Sequence, residues 1–119
     1  MPVEQGGWQT VSASPIAFEG YEPPVSLDAQ GIEDVRLAFI AAARRAVDAG
    51  FDLVEVHAAH GYLLHQFLSP LSNERADEWG GSLENRARLL LDIVRGVRAE
   101  VGPDLPVLVR FSGTDWTEG

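Results

Sequence analysis

Cysteine and lysine are both missing from these 119 residues, and no apolar run approaches the length of a membrane span. Without cysteine the stretch holds no disulfide and no thiolate metal site, which is compatible with a reducing cytoplasm. Without lysine, all nine basic residues are arginines, and the formal charge is −9. An acidic surplus repels a phosphate backbone, and the arginines are scattered along the chain. Nucleic acid is therefore excluded as the main partner, and so is adhesion to a membrane through basic residues. The opening residues, Met1 to Gly7, offer neither a basic nor an apolar signal region. Those absences lead us to expect a soluble cytoplasmic protein. What is present is globular in kind: 45% of residues are hydrophobic, enough to argue against disorder, and the length suits one domain.

Four of the seven prolines fall in residues 1–27, together with Gly6, Gly7 and Gly20. That density forbids a long helix or a central strand. The segment reads as an extended loop whose Trp8, Ile16, Phe18 and Tyr21 have to lie against something else. From about Asp28 to Ala49, Ile32, Val35, Phe39, Ala42 and Ala46 recur at helical spacing. Ser26 or Asp28 can cap this helix, Gly31 weakens its first turn, and Gly50 stops it.

Residues 51–57, rich in branched side chains, read as a strand. A long loop follows, with a short helix from Tyr62 to Leu68 limited by Pro70. A second long helix runs from about Leu83 to Val101 between Ser82 and Gly102, with a stripe of Ala87, Leu90, Ile93 (or Val94), Val97 and Val101. Residues 106–111 form a second strand, whose apolar middle predicts cover on both faces. Strands separated by helices are expected to be parallel. Two such strands cannot close a sheet, so the order of elements predicts a portion of a larger α/β fold.

In parallel α/β barrels reactive groups collect at the carboxyl ends of the strands. The first strand leads into His57, His60 and Tyr62, and the second ends at Arg110, Phe111 and Ser112. Two imidazoles can each offer an N–H to one carbonyl oxygen, and a phenol can give a proton. A guanidinium at the end of an apolar strand needs a partner, and a bound anionic group would supply one. Blander readings stand beside each: a pair of loop histidines, a packed tyrosine, an arginine bridging to a carboxylate inside the barrel.

A metal-dependent hydrolase is the sharpest competitor, since Glu55 and His57 share one side of a strand near His60, although no third matched carboxylate is evident. His65 carries no signal of its own and reads as a loop or surface residue. Gly80-Gly81-Ser82 lacks the ending of a phosphate loop and reads as a turn and helix cap. The charged residues around it (Glu74, Arg75, Asp77, Glu78, Glu84, Arg86 and Arg88) read as a solvated loop held by ion pairs.

The run from Val54 through His57-Ala58-Ala59-His60-Gly61-Tyr62 to Pro70, continued by Leu71 to Arg86, resembles the signature of the Old Yellow Enzyme flavoproteins. The likeness extends from about Trp8 to Gly119. The His-x-x-His-x-Tyr form is similar to the bacterial, thermophilic-like branch, other branches often having Asn at the second position. By this resemblance the fold is a partial (β/α)8 TIM barrel, from the loop after strand 3 through strand 5, with residues 1–119 being part of one FMN-binding domain.

The resemblance implies an FMN-dependent ene-reductase, using NADPH or NADH to reduce the C=C bond of a small enone-type substrate. It assigns His57 and His60 to the substrate oxygen, Tyr62 to proton donation, and His57 and Arg110 to the flavin. It implies a homo-oligomeric full-length protein and no metal. The family's first strands and its phosphate-binding loops after strands 7 and 8 have no counterpart here, so the chain alone is expected to be inactive. The remaining alternative is a truncated, non-catalytic chain.

Overall fold

The computed structural model of the protein describes residues 3–118. Two capped helices set its frame. Helix α1 spans Ala29–Asp48, and the Asp28 carboxylate accepts the Gly31 N–H at 2.8 Å, satisfying one of the amides that a helix start leaves unpaired. Gly50 then takes the left-handed conformation, φ 88°, that ends it. Helix α3, Leu83–Val101, is built the same way, with Ser82 accepting from the Asn85 N–H and Gly102 at φ 81°. A short helix α2, Leu63–Leu68, lies between them in sequence, one residue shorter at its start than expected.

The buried stripes differ in phase from those expected. In α1, Ile32 and Ala43 are buried, whereas Ala42 is exposed. Eleven residues are about three full turns, which places Ala43 almost directly above Ile32, while Ala42 is displaced by about 80°. In α3 the buried line is Arg86, Leu89, Ile93 and Val97, with Ala87 and Leu90 at its margin. An apolar count passes over Arg86 and so begins the stripe one residue late. The helices meet closely where Ile40 fills the space above Gly96. Phe67 and Leu64 of α2 complete the core with Ile32, Leu89, Ile93 and Val97, all fully buried. Each such side chain contributes about 1.5–3 kcal/mol on removal from water.

Strands β3 (Val54–Ala58) and β4 (Val107–Phe111) pair in parallel, as expected from the intervening helix. The first begins later than the apolar run: Phe51, Asp52 and Leu53 form its approach and stay exposed. The expected cover on both faces of β4 is not found among the described residues. Val107 and Val109 pack toward the helices, while Leu108 and Arg110 are exposed on the other side. That open side, which carries Glu55, His57, Leu108 and Arg110, is the one that faces the lumen in a closed barrel.

The proline-rich opening contains more order than a loop. A 3-10 turn covers Val3–Gln5, and strands β1 (Val11–Ser12) and β2 (Val25–Ser26) form a two-residue parallel ladder. Ser12, Ala13 and Ser14 are buried beneath it, while Trp8, Phe18 and Tyr21 stay exposed and Ile16 only marginally so. What holds this segment is Arg75, whose Nη1 donates to the carbonyls of Ala13 (2.9 Å) and Leu27 (2.7 Å) and to Ser26 Oγ. The other side of the guanidinium grips Asp77 through Nε and Nη2.

Arg86 is 5% exposed and donates to the carbonyls of Leu68 and Gly81. Neither arginine is solvated, contrary to the reading of this loop as a surface ion-pair network. Arg86 is held by backbone carbonyls, and Arg75 by two of them together with Ser26 and the expected kind of ion pair to Asp77; carbonyl acceptors leave no mark in a sequence. The glycine turn and serine cap at residues 80–82 are as expected: Gly80 lies directly against the Arg75 backbone, where a Cβ could not fit.

Candidate active site

The register of β3 and β4 sets His57 beside Arg110 and Glu55 beside Leu108. Paired residues of parallel strands point to the same face, so His57 and Arg110 share the open side, away from the helices. Both sit inside their strands, one residue before the end, rather than beyond it. Arg110 is exposed, and its guanidinium has no hydrogen bond or ion pair among the described residues. The carboxylate bridge considered from sequence is therefore not made within this stretch. No three His, Asp or Glu side chains gather as a metal-binding group among the described residues.

Beyond Ala58 the chain turns sharply. The Tyr62 N–H donates to the Ala59 carbonyl at 3.2 Å across His60 and Gly61, whose φ values are 59° and 76°. Two consecutive left-handed residues make a turn of the I′ kind. Glycine adopts this at little cost, but an L-residue such as His60 does so at about 1–2 kcal/mol. The outcome is compact. The His60 ring lies 5.3 Å from the His57 ring, edge on at 66°, and the Tyr62 ring lies 5.3 Å from His57 at 55°. Tyr62, 62% exposed, opens α2. All four side chains expected at the site, His57, His60, Tyr62 and Arg110, thus come to one end and one face of the sheet.

The turn is fastened on several sides. The His60 N–H reaches Ser112 Oγ at 3.3 Å, tying the ends of the two strands together. The Gly61 N–H donates to His65 Nδ1 at 2.8 Å, and Gln66 Nε2 donates to the Gly61 carbonyl at 2.7 Å. Because Nδ1 accepts, the His65 proton sits on Nε2, which faces Asp115 Oδ1 at 3.1 Å. Gln66 Oε1 is buried with no donor among the described residues, so its amide is oriented by the Gly61 carbonyl alone.

His65 was expected on the surface, yet its side chain is only 15% exposed. Sequence reasoning missed it, along with Gln66 and Asp115. The spacing from Gly61 to His65, one helical turn, was a usable signal; Asp115, fifty residues further on, left none.

Similarity to known proteins identifies the family and the fold. Residues 7–119 match the family described as NADH:flavin oxidoreductase / NADH oxidase. An NADH:flavin oxidoreductase of Gibberella zeae is 54% identical over 119 residues, covering 97% of this chain and 29% of that protein. An NADPH dehydrogenase of Clostridium acetobutylicum is 48% identical, covering 93% of this chain and 33% of the relative. The chain thus spans about a third of the length of these curated relatives.

Among solved structures, morphinone reductase in complex with tetrahydroNAD superposes with a TM-score of 0.82 at 37% identity, covering 89% of this chain and 33% of that one. A 2-naphthoyl-CoA reductase bound to 2-naphthoyl-CoA gives 0.81 at 42% identity, over 85% of this chain and 16% of the other. The metal-dependent hydrolase considered from sequence has no support in these relationships. Parallel strands alternating with helices, a shared strand-end face and this match over nearly the whole chain lead to one conclusion: the protein belongs to the NADH:flavin oxidoreductase / NADH oxidase family and forms part of its (β/α)8 barrel.

Proposed function

We propose that this chain forms part of an FMN-dependent ene-reductase, in which NADPH or NADH is the reductant and an α,β-unsaturated carbonyl compound the substrate. The observation that carries the reading is the in-register pairing of His57 with Arg110, with the His60 and Tyr62 rings gathered against His57. The donor set suits a flavin. Arg110 offers an exposed guanidinium fork without an acceptor among the described residues, beside an open apolar Leu108, which fits the carbonyl edge of a flavin pyrimidine. His57 stands next to it and is placed to touch both cofactor and substrate.

FMN, held between Arg110 and His57, would supply the hydride chemistry that links the nicotinamide to the β-carbon of the alkene. His57 and His60 each present one N–H, and rings at this separation can converge on a single oxygen. As negative charge grows on the substrate oxygen, those donors stabilise it. The Tyr62 hydroxyl gives its proton to the α-carbon on completion of the reduction. Arg110 favours negative charge on the pyrimidine side. The open sheet edges and a span of about a third of the relatives' length support the reading that these residues work only within a complete barrel, and that the 119 residues alone neither retain FMN nor turn over.

The test uses the complete barrel carrying these residues. Tyr62→Phe should slow alkene-dependent re-oxidation of the flavin about 100-fold or more, while reduction by NADPH stays within about threefold. Arg110→Met should weaken flavin retention. Unchanged re-oxidation in Tyr62→Phe, together with full flavin content in Arg110→Met, would remove the reading.

A further inference from the structure

We infer that His65, held by Asp115 and assisted by Gln66, is a positioning residue that locks the His60-Gly61-Tyr62 turn in its left-handed form. The inference rests on the roles proposed for His60 and Tyr62 and adds what keeps them in place. His60 occupies a conformation that an L-residue leaves when it can, so something must hold it there. Gly61 is gripped on both sides: the N–H of the His60–Gly61 peptide by His65 Nδ1 and the carbonyl of the Gly61–Tyr62 peptide by Gln66 Nε2. With the His60–Gly61 and Gly61–Tyr62 peptide planes each tied to a side chain of α2, neither can swing freely, and the rings on either side of Gly61 are held with them.

His65 can accept at Nδ1 only with its proton on Nε2, and Asp115 is the group that keeps it there. Asp115 lies beyond β4, in the same segment as Ser112, whose hydroxyl accepts the His60 N–H. The segment after β4 thus supports the turn after β3 from two directions. Neither His65 nor Asp115 belongs to the group of side chains gathered around His57. Their action is through the backbone of the turn.

The experiment uses the complete FMN-loaded barrel and three variants. His65→Leu removes the acceptor. His65→Asn restores it, because the asparagine Oδ1 falls close to the position of Nδ1. Tyr62→Phe is measured in parallel. Two quantities are read: hydrogen exchange of the Gly61 amide, and re-oxidation of the reduced flavin by cyclohexenone set against its reduction by NADPH.

The expected result for His65→Leu is about tenfold faster Gly61 exchange and about tenfold or more slower re-oxidation, with flavin reduction within about twofold of the parent. His65→Asn should return both to within about threefold of the parent. Parental Gly61 exchange in His65→Leu overturns the inference whatever the rates. So does faster exchange without slower re-oxidation when Tyr62→Phe is itself slow, and so does failure of His65→Asn to rescue. If Tyr62→Phe re-oxidises at the parental rate, the proposed function is what fails, and Gly61 exchange still decides whether the turn is held by His65.

Discussion

Replacing Arg75 with methionine should release the N-terminal segment while leaving the helical core intact. The guanidinium donates to the carbonyls of Ala13 and Leu27 and to Ser26 Oγ. Methionine keeps most of the stem volume and none of the donors. The Ala13 carbonyl retains one partner, the Ser26 hydroxyl at 2.7 Å, so its loss is one charge-assisted bond. The Leu27 carbonyl has no other donor among the bonds described and is left bare.

A charge-assisted bond contributes about 1.5–3 kcal/mol, and an unsatisfied part-buried carbonyl costs about 1–3 kcal/mol. The Asp77 pair adds little, because its carboxylate is 42% exposed. Together these give about 2.5–6 kcal/mol, and β1–β2 is only two residues long, too short to absorb it. At 1.4 kcal/mol per factor of ten, the amides of Val25 and Leu27 should exchange about a hundredfold faster or more. Those amides bond to the carbonyls of Thr10 and Ser12, so they report on the ladder directly. Hydrogen exchange with residue resolution is the assay. Arg75→Lys, which keeps the charge and loses the fork, should fall between. The reasoning fails if Val25 and Leu27 keep parental exchange, or if the acceleration is equally large at Ile93 and Val97, which would mean global destabilisation instead of local release.

Three further outcomes follow from the same region and from the helix pair. Gly80→Ala should destabilise by about 1–3 kcal/mol, since a Cβ there strikes the Arg75 backbone. Gly96→Ala meets Cδ1 and Cγ1 of Ile40, side-chain atoms that can shift where backbone cannot, and gains helix propensity, so its thermal midpoint should fall less than that of Gly80→Ala; equal losses in the two variants would contradict this. Hydrogen bonding by Arg75 holds the Asp77 carboxyl below the usual carboxylate range, against the opposing effect of burial. A carboxyl pKa lowered by folding stabilises the protein above the unfolded value of about 3.9, and that contribution fades as pH falls through the folded value below it. Asp77→Asn should therefore differ most from the parent at neutral pH and converge with it in acid; a difference that widens toward low pH would reverse the sign.

The elements were legible where local chemistry dictates them. Asp28, Gly50, Ser82 and Gly102 mark the helix ends because each satisfies or terminates a backbone pattern within a few residues. The parallel order followed from helices separating the strands. The meeting of His57, His60, Tyr62 and Arg110 was readable because strand ends gather on one face of such folds. What stayed hidden depends on partners far away in the chain. Arg75 and Arg86 look like surface charges until their carbonyl acceptors are known, and every residue has a carbonyl. His65 needs Asp115, and nothing near either predicts the other. The stripe of α1 was misjudged at Ala42 because alanines at 41, 42 and 43 are equivalent in any hydrophobic count, and only helical geometry selects the third.

The handedness of the backbone at His60 also narrows what can evolve or be engineered there. On the role proposed for His60, the position asks for a side chain that donates a hydrogen bond and, independently, for one that tolerates positive φ. Histidine and asparagine meet both demands, aspartate tolerates the fold without donating, and glutamine, serine and the branched residues are poorer at the second. A library at residue 60 should accordingly collapse to a very short alphabet, filtered by backbone shape before any chemistry is tried.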